Sequence, residues 1–164
     1  MRISGGLARG IPLQIPKGVD LRPATEANRE RLFSSLGEKV LETRFLDLYA
    51  GTGSYGLEAL SRGAEDGVFV ENNRKAVISL KNNLLKVRKS AQLNDETGSI
   101  KNREVTEYLK SEVKQYNLIF LDPPYPLFSK IGPPIFRIIR DQKILVNSGL
   151  LIHEAPPEEK IEFP

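Results

Sequence analysis

The 164-residue sequence contains no cysteine and only one histidine. The lack of cysteine excludes a disulfide framework, a thiolate metal site and a cysteine nucleophile. It also excludes the class of enzyme that reacts at C5 of a pyrimidine through a covalent adduct with a cysteine thiolate. Because no cluster of cysteine and histidine is present either, the sequence predicts no metal site.

Long apolar segments are also missing. No run approaches the roughly 18 apolar residues of a membrane span, and residues 1–6 lack the apolar stretch of a signal peptide. A hydrophobic content of 40% in 164 residues is enough for one core. We therefore expect a soluble, cytoplasmic, single-domain protein that acts as a monomer and does not contact membranes.

The positive charge is unevenly distributed. The net charge is only +3, and residues 1–31 carry all of it, with six basic and three acidic side chains. The remaining 133 residues hold 18 side chains of each sign. A basic segment of this kind is suited to nucleic-acid phosphates, although charge alone equally allows an ordinary solvated segment.

Patterning divides the chain into an arm and a repetitive core. Residues 1–23 are rich in glycine and proline, which predicts a small hairpin or an irregular arm. Thr25 can cap a helix over 26–36, and Gly37 can end it. Strands are then predicted at 45–49, 67–70, 99–103, 118–121 and 150–152, and helices at 54–62, 74–89, 105–113 and 134–140.

This alternation of strands and helices predicts an α/β fold with a doubly wound, mostly parallel sheet. Within a single domain we separate a basic arm with the first helix, residues 1–37, from a core, residues 38–164.

A glycine-rich loop follows the first predicted strand. Gly51, Gly53 and Gly56 fit the pattern G-x-G-x-x-G between a strand and a helix, and Glu71 lies 20 residues after Gly51. Such glycines let the backbone approach a ligand, and a carboxylate at the end of the next strand can hold ribose hydroxyls. Taken alone, the pattern fits a nicotinamide oxidoreductase as well as an S-adenosylmethionine enzyme.

Asp47 favours the second of these. It lies four residues before the first glycine, so it places a carboxylate near the loop. A carboxylate suits a ligand that carries an ammonium group, whereas it would repel the two phosphates of a dinucleotide.

The tetrapeptide Asp122-Pro123-Pro124-Tyr125 follows the apolar run at 118–121. Asp122 is predicted at the carboxyl end of a buried strand, where open α/β sheets bind ligands. Two prolines stiffen the loop, so we expect its carbonyls to point outward without partners. A carboxylate, a free carbonyl and an aromatic ring suit a planar group that bears an NH2, although many strands end in Asp-Pro as a plain turn.

Together these residues resemble the ribosomal small-subunit methyltransferase D family. The resemblance covers nearly all of residues 1–154, and its segments are 21–26, 29–30, 32–33, 47–56, 57–64 and 122–125. It implies a class I, Rossmann-like methyltransferase. Such an enzyme uses S-adenosylmethionine to methylate the exocyclic N2 of a guanine in 16S rRNA on a nearly assembled small subunit.

The resemblance also implies roles for individual residues. The catalytic loop would be Asp122, Pro123 and Tyr125. The cofactor-binding residues would be Asp47, Tyr49, Gly51, Gly53, Glu71, Asn72, Glu104 and Asp122. The RNA-facing residues would be Arg2, Arg9, Arg22 and Arg29. For His153 and Tyr55 we expect structural roles.

The sequence departs from the family in two places. Ala24 stands where the family usually carries threonine. Class I sheets normally finish with an antiparallel pair of strands, but only residues 155–164 follow the last predicted strand. The sequence therefore predicts either a sheet shortened at its C-terminal edge or a truncated chain.

Three other functions remain open at this point. A DNA adenine-N6 methyltransferase would use a similar acidic loop, but it normally needs an added region that reads sequence. A nicotinamide oxidoreductase is disfavoured by Asp47 and by the lack of a substrate domain. A non-catalytic RNA-binding module that kept the fold is the third.

Overall fold

The computed structural model describes residues 1–19, 24–124 and 127–154. The helices are α1 (Glu26–Leu36), α2 (Ser54–Ser61), α3 (Arg74–Ala91), α4 (Val105–Ser111) and α5 (Phe128–Asp141), with a 3-10 turn at Gly37–Val40 after α1. The strands are β1 (Arg44–Leu48), β2 (Asp66–Val70), β3 (Ser99–Lys101), β4 (Tyr116–Leu121) and β5 (Leu145–His153).

The strands of the described residues form one sheet in the order β3-β2-β1-β4-β5. Each neighbouring pair is parallel, so the predicted doubly wound sheet is confirmed. The order reverses between β1 and β4, and this switch point is where open α/β sheets bind ligands. The prediction about the C-terminal edge concerns residues 155–164, which lie outside the described residues.

Both faces of the sheet are buried. Phe45 of β1 points to a cluster with residues of α1, α2 and α3, whereas its neighbour Leu46 points to a cluster with residues of α4 and α5. This burial on both faces explains why residues 118–121 of β4 read as a continuous apolar run. No helix in the part of the chain that the structure describes is long and apolar enough to cross a membrane.

Local signals located α1 well and α5 poorly. The Thr25 hydroxyl accepts from the Asn28 N–H, and α1 has the predicted bounds. In contrast, α5 begins six residues before the predicted start and contains Pro133 and Pro134. The two prolines are exposed, so water can reach the helix face on which they interrupt the hydrogen bonding. The segment therefore tolerates prolines that normally break a helix.

The arm folds as a short hairpin, as one of the two predictions for it stated. Arg2 and Pro12 form an antiparallel bridge, and the Ile3 N–H donates to the Ile11 carbonyl at 2.9 Å. The hairpin lies against the end of α2, because the Ser61 carbonyl accepts from the Leu7 N–H at 2.7 Å. A Cβ atom on Gly6 would lie 1.9 Å from the Ser61 carbonyl oxygen, so only glycine allows this approach.

Candidate active site

The predicted site residues come together at the carboxyl ends of β1, β2 and β4. Leu48 of β1 pairs with Val70 of β2 on one side and with Leu121 of β4 on the other. The glycine-rich loop, Glu71 and Asp122 follow these three residues directly along the chain. Sequence positions that are far apart thus meet at the switch point of the sheet.

The glycine-rich loop requires its glycines. Gly51 and Gly53 have positive φ values of 55° and 82°, and a Cβ on Gly53 would lie 2.2 Å from Cδ1 of Leu80. A Cβ on Gly56 would lie 2.4 Å from the Phe69 ring. The first two glycines therefore shape the turn, while the third lets α2 approach the sheet.

Asp47 is buried beneath this loop and is 2% exposed. Its Oδ2 accepts from the Gly56 N–H at 3.0 Å, which fixes the first turn of α2. Burial raises the pKa of Asp47 well above its ordinary value, against the effect of the Gly56 hydrogen bond, and the charges of Asp122 and Glu71 raise it further. The structure thus places a carboxyl group at the loop, as predicted, and in addition gives it a structural partner.

Glu71 holds the loop against the start of α3. One of its carboxylate oxygens accepts from the Gly51 N–H at 2.9 Å and the other from the Asn73 N–H at 2.8 Å. Each oxygen keeps a second lone pair, so both can still accept from ribose hydroxyls. Asn72 is exposed beside it.

Tyr49 and Glu104 extend this acidic region. Burial, followed by the charges of Glu104 and Glu71, raises the pKa of Tyr49 to about 12. Glu104 caps α4 by accepting from the Glu107 N–H at 2.8 Å. Although partial burial acts to raise the pKa of Glu104, hydrogen bonds from Thr106 and Glu107 lower it overall, which keeps the group ionised.

Asp122 differs from the other carboxylates of the site, because no described residue donates a hydrogen bond to its side chain. It is partly buried, and among the described residues no hydrogen bond reaches its carboxylate. Burial, with a further contribution from the charge of Glu154, raises its pKa to about 7. The side chain is thus an acceptor at the carboxyl end of β4 to which no described residue donates.

The prolines after Asp122 behave differently from each other. Pro123 is buried and Pro124 is exposed. The Pro124 carbonyl accepts from the Leu127 N–H at 3.0 Å, so the prediction that the loop carbonyls are unpaired is wrong for Pro124. Tyr125 lies outside the described residues.

Sequence reasoning missed Glu154, which follows β5 at the same edge of the sheet. Its two carboxylate oxygens accept from the Asn28 side-chain amide at 2.6 Å and from the Tyr55 hydroxyl at 2.8 Å. The Tyr55 ring stacks on Phe120, with ring centroids 5.4 Å apart. Glu154 therefore ties α1 to α2 beside Asp122. The only sequence signal was an acid directly after a strand.

His153 packs as a structural residue, as expected. Its Nδ1 lies 2.7 Å from the Leu121 carbonyl oxygen, and because a carbonyl only accepts, this nitrogen carries the proton. The imidazole also stacks on Phe128, with ring centroids 3.7 Å apart. His153 thereby joins the end of β5 to β4 and α5.

The predicted RNA-facing arginines fall into three groups. Arg2 and Arg9 are exposed, and Arg2 pairs with Glu26 at 3.1 Å. Arg22 lies outside the described residues. For Arg29 the prediction is wrong, because its side chain is 0% exposed. The Arg29 guanidinium donates to the carbonyls of Ala24 and Arg2 and pairs with Glu58.

The carboxylates of the site suit a nucleoside cofactor that carries a positive charge. The charges of Asp122 and Glu71 both act on Asp47, and burial raises the pKa of Asp47 and of Asp122. A bound cation would relieve this cost, whereas the two phosphates of a dinucleotide would increase it. The oxidoreductase alternative is therefore disfavoured by the same geometry.

The chain is similar to known proteins both in sequence and in fold. A family model described as conserved hypothetical protein 95 matches residues 1–163. The chain is 35% identical over 158 residues to ribosomal RNA small subunit methyltransferase D of Escherichia coli K12, covering 96% of this chain and 76% of that protein.

Two further proteins extend these comparisons. The enzyme of the same name from Buchnera aphidicola of Acyrthosiphon pisum is 36% identical, with 99% and 81% covered. The structure of the Thermus thermophilus protein TTHA0928 superposes with a TM-score of 0.80 at 29% identity. That match covers 98% of this chain and 89% of the other.

Proposed function

Since the chain belongs to the ribosomal RNA small subunit methyltransferase D family, we propose that it methylates the exocyclic N2 amine of a guanine in 16S rRNA. It is a class I, S-adenosylmethionine-dependent rRNA methyltransferase. The observation that carries the choice of an amine is Asp122, a partly buried carboxylate that receives no hydrogen bond within the described residues.

The cofactor would be held at the glycine-rich loop. In this proposal Gly51 and Gly53 give the backbone close access, Glu71 accepts from the ribose hydroxyls, and Asn72 and Glu104 flank the base. Asp47, Tyr49 and Asp122 provide the acidic side of the pocket. When bound, S-adenosylmethionine supplies the electrophilic methyl group.

The loop at residues 122–125, which we call the acceptor loop, would then orient the target amine. The lone pair of a guanine N2 is delocalised into the ring, so the amine is a poor nucleophile. Asp122 and the Pro123 carbonyl can accept its two N–H bonds and draw them out of the ring plane, which restores lone-pair density. Asp122 need not remove a proton first, because its charge stabilises the positive charge that develops on nitrogen.

Buried surroundings strengthen this effect. Pro123 is buried, and the stacked rings of Tyr55 and Phe120 are 7% and 1% exposed. Charges interact more strongly where water is excluded. In the proposal Tyr125 stacks on the extruded base, a contact worth about 1–3 kcal/mol per base in other nucleic-acid-binding proteins.

The arm would bind the RNA backbone. Arg2 and Arg9 project from the hairpin into solvent, and Arg22 continues the same basic segment. We assign residues 1–37 to RNA binding and residues 38–164 to methyl transfer, within one domain. The proposal further includes a nearly assembled small subunit as substrate and a monomeric, cytoplasmic enzyme.

Mapping modified nucleotides would test this function. Small subunits are isolated from cells with and without the protein, and their 16S rRNA is digested and analysed by mass spectrometry. We expect one N2-methylguanine to disappear without the protein and to return when purified protein and labelled S-adenosylmethionine are added. An unchanged set of methylguanines, or a label recovered on adenine, would contradict the proposal.

A further inference from the structure

Asn83 lies between the arm and the glycine-rich loop. It projects from α3 and is 0% exposed. Its Oδ1 accepts from the Gln14 N–H at 2.7 Å, and its Nδ2 donates to the Gln14 carbonyl at 3.1 Å and to the Thr52 carbonyl at 3.0 Å. One buried amide thus bonds the backbones of two distant segments.

The orientation of this amide is fixed by its partners. An N–H can only donate and a carbonyl can only accept, so Oδ1 must face the Gln14 N–H and Nδ2 must face the two carbonyls. Both donors of the side chain are used. A buried polar group that loses its partner is costly, so Asn83 should follow Gln14 if Gln14 shifts. That movement would strain or break the hydrogen bond from Asn83 to Thr52.

The partner on the loop side belongs to the cofactor site. Thr52 stands between Gly51 and Gly53 and is 2% exposed. Leu80, one helical turn before Asn83, limits the space at Gly53. The same face of α3 therefore supports two consecutive residues of the loop, one through packing and one through the amide.

We propose that Asn83 is a positioning residue that couples the arm to the cofactor-binding loop. Ordering of the loop by the cofactor then favours the docked arm, and docking of the arm favours the cofactor. Such coupling is reciprocal, so each event changes the other by the same factor. The identity of the RNA that the arm receives rests on the proposed function, but the coupling itself needs no RNA.

A matched pair of substitutions separates coupling from general effects. Asn83→Asp keeps the acceptor for the Gln14 N–H, but it places an oxygen against the two carbonyls. Asn82→Asp makes the same chemical change one residue earlier. Asn82 is exposed, and among the described residues its amide donates to the Gln14 side chain at 3.2 Å and not to the loop.

The readouts are binding of S-adenosylhomocysteine by calorimetry and hydrogen exchange of the Gln14 amide. We expect Asn83→Asp to weaken binding about tenfold, whereas Asn82→Asp changes it by less than about twofold. In the unmodified protein the ligand should slow Gln14 exchange at least about fivefold, and Asn83→Asp should abolish that slowing. Equal affinities of the two variants, or exchange that ignores the ligand in the unmodified protein, would overturn the proposal.

A second variant covers the case in which Asn83→Asp does not fold. Gln14→Pro removes the backbone N–H that donates to Asn83. The Gln14 side chain is exposed, and the substitution changes no residue of α3 or of the loop. We expect it to weaken binding of S-adenosylhomocysteine about threefold or more, and unchanged binding would refute the coupling. Coupled binding and exchange without any methylation of rRNA would instead refute the proposed function alone.

Discussion

Two acidic residues occupy opposite environments. Glu58 lies on α2 where the arm packs against it, and Asp122 lies in the loop that follows β4. The Glu58 side chain is 0% exposed, yet it accepts from the Ser4 N–H, the Ser4 hydroxyl, the Gly5 N–H and Arg62, and it pairs with Arg29. Asp122 is less buried, has no donor within the described residues and lies near another carboxylate, Glu154.

The difference separates a structural acid from a reactive one. Donors and guanidinium groups around Glu58 replace the water that surrounds an exposed carboxylate, so its charge fastens the arm to α2. Within the described part of the chain no such group replaces water around Asp122, and burial together with the charge of Glu154 raises its pKa. Acids whose burial is not compensated are found preferentially at functional sites. The lack of donors to Asp122 among the described residues is therefore consistent with the ligand-binding role that we propose for it.

Among the substitutions that test this comparison, Glu58→Gln should have the largest effect. Removing the charge leaves Arg29 and Arg62 without their counter-ion, and breaking a buried pair in this way costs about 3–5 kcal/mol. Urea unfolding measures the decrease in the free energy of unfolding. The control is Glu26→Gln, which breaks the exposed pair with Arg2 and should cost less than about 1 kcal/mol. Equal decreases in the two variants would contradict the structural role of Glu58.

Asp122→Asn should reduce methyl transfer about 10²- to 10³-fold, as expected when one group that stabilises developing charge is removed. Cofactor affinity should fall much less, by about tenfold at most, since the loop and Glu71 are untouched and only one carboxylate of the pocket is lost. Single-turnover transfer of a labelled methyl group and calorimetry measure the two quantities. Asp141→Asn, on the exposed end of α5, should leave both unchanged. Turnover retained in Asp122→Asn would exclude the acceptor role.

The same variant should change how stability depends on pH. The pKa of Asp122 rises from 3.8 to about 7 on folding, so its contribution to stability is largest below pH 3.8 and is lost as pH rises to about 7. Relative to the unmodified protein, Asp122→Asn should therefore gain stability between about pH 4 and 7 and show no further gain above that. Unfolding midpoints at several pH values test this, and a constant difference would argue against burial of an uncompensated acid.

Neutralising Arg2 and Arg9 should have the smallest effect on the protein itself. Both side chains are exposed, so stability should change by less than about 0.5 kcal/mol. Affinity for RNA should fall, and the slope of log K against log salt should decrease by about 0.7–0.9 for each phosphate that is no longer neutralised. Arg140→Gln on α5 is the control. An unchanged slope in the double variant would exclude these arginines from phosphate binding.

Sequence predicted the elements wherever local signals and burial agreed. Thr25 has a cap role that its chemistry favours, so α1 was located to the residue. The last helix was predicted over 134–140, but the face on which Pro133 and Pro134 lie is exposed and the helix extends through them from Phe128. Exposure of one helix face is a property of packing, which spacing alone does not reveal.

The site was predicted in part for a similar reason. Motifs located Asp47, Glu71 and Asp122, since strand ends converge wherever a parallel sheet forms. The predicted RNA surface wrongly included Arg29, because neither the resemblance nor the charge distribution shows that an arginine on α1 packs against a glutamate on α2. Glu154 was missed because its partners come from distant parts of the chain.

An NMR titration of the Asp122 carboxyl carbon tests the central claim most directly, with the signal assigned through Asp122→Asn and Asp141 as an exposed reference. If Asp122 is a partly buried acid to which no described residue donates, its midpoint should lie at about 7 and fall when S-adenosylmethionine is added, because a nearby cation favours the ionised form. A midpoint near 3.8, the ordinary value for aspartate, would contradict the account.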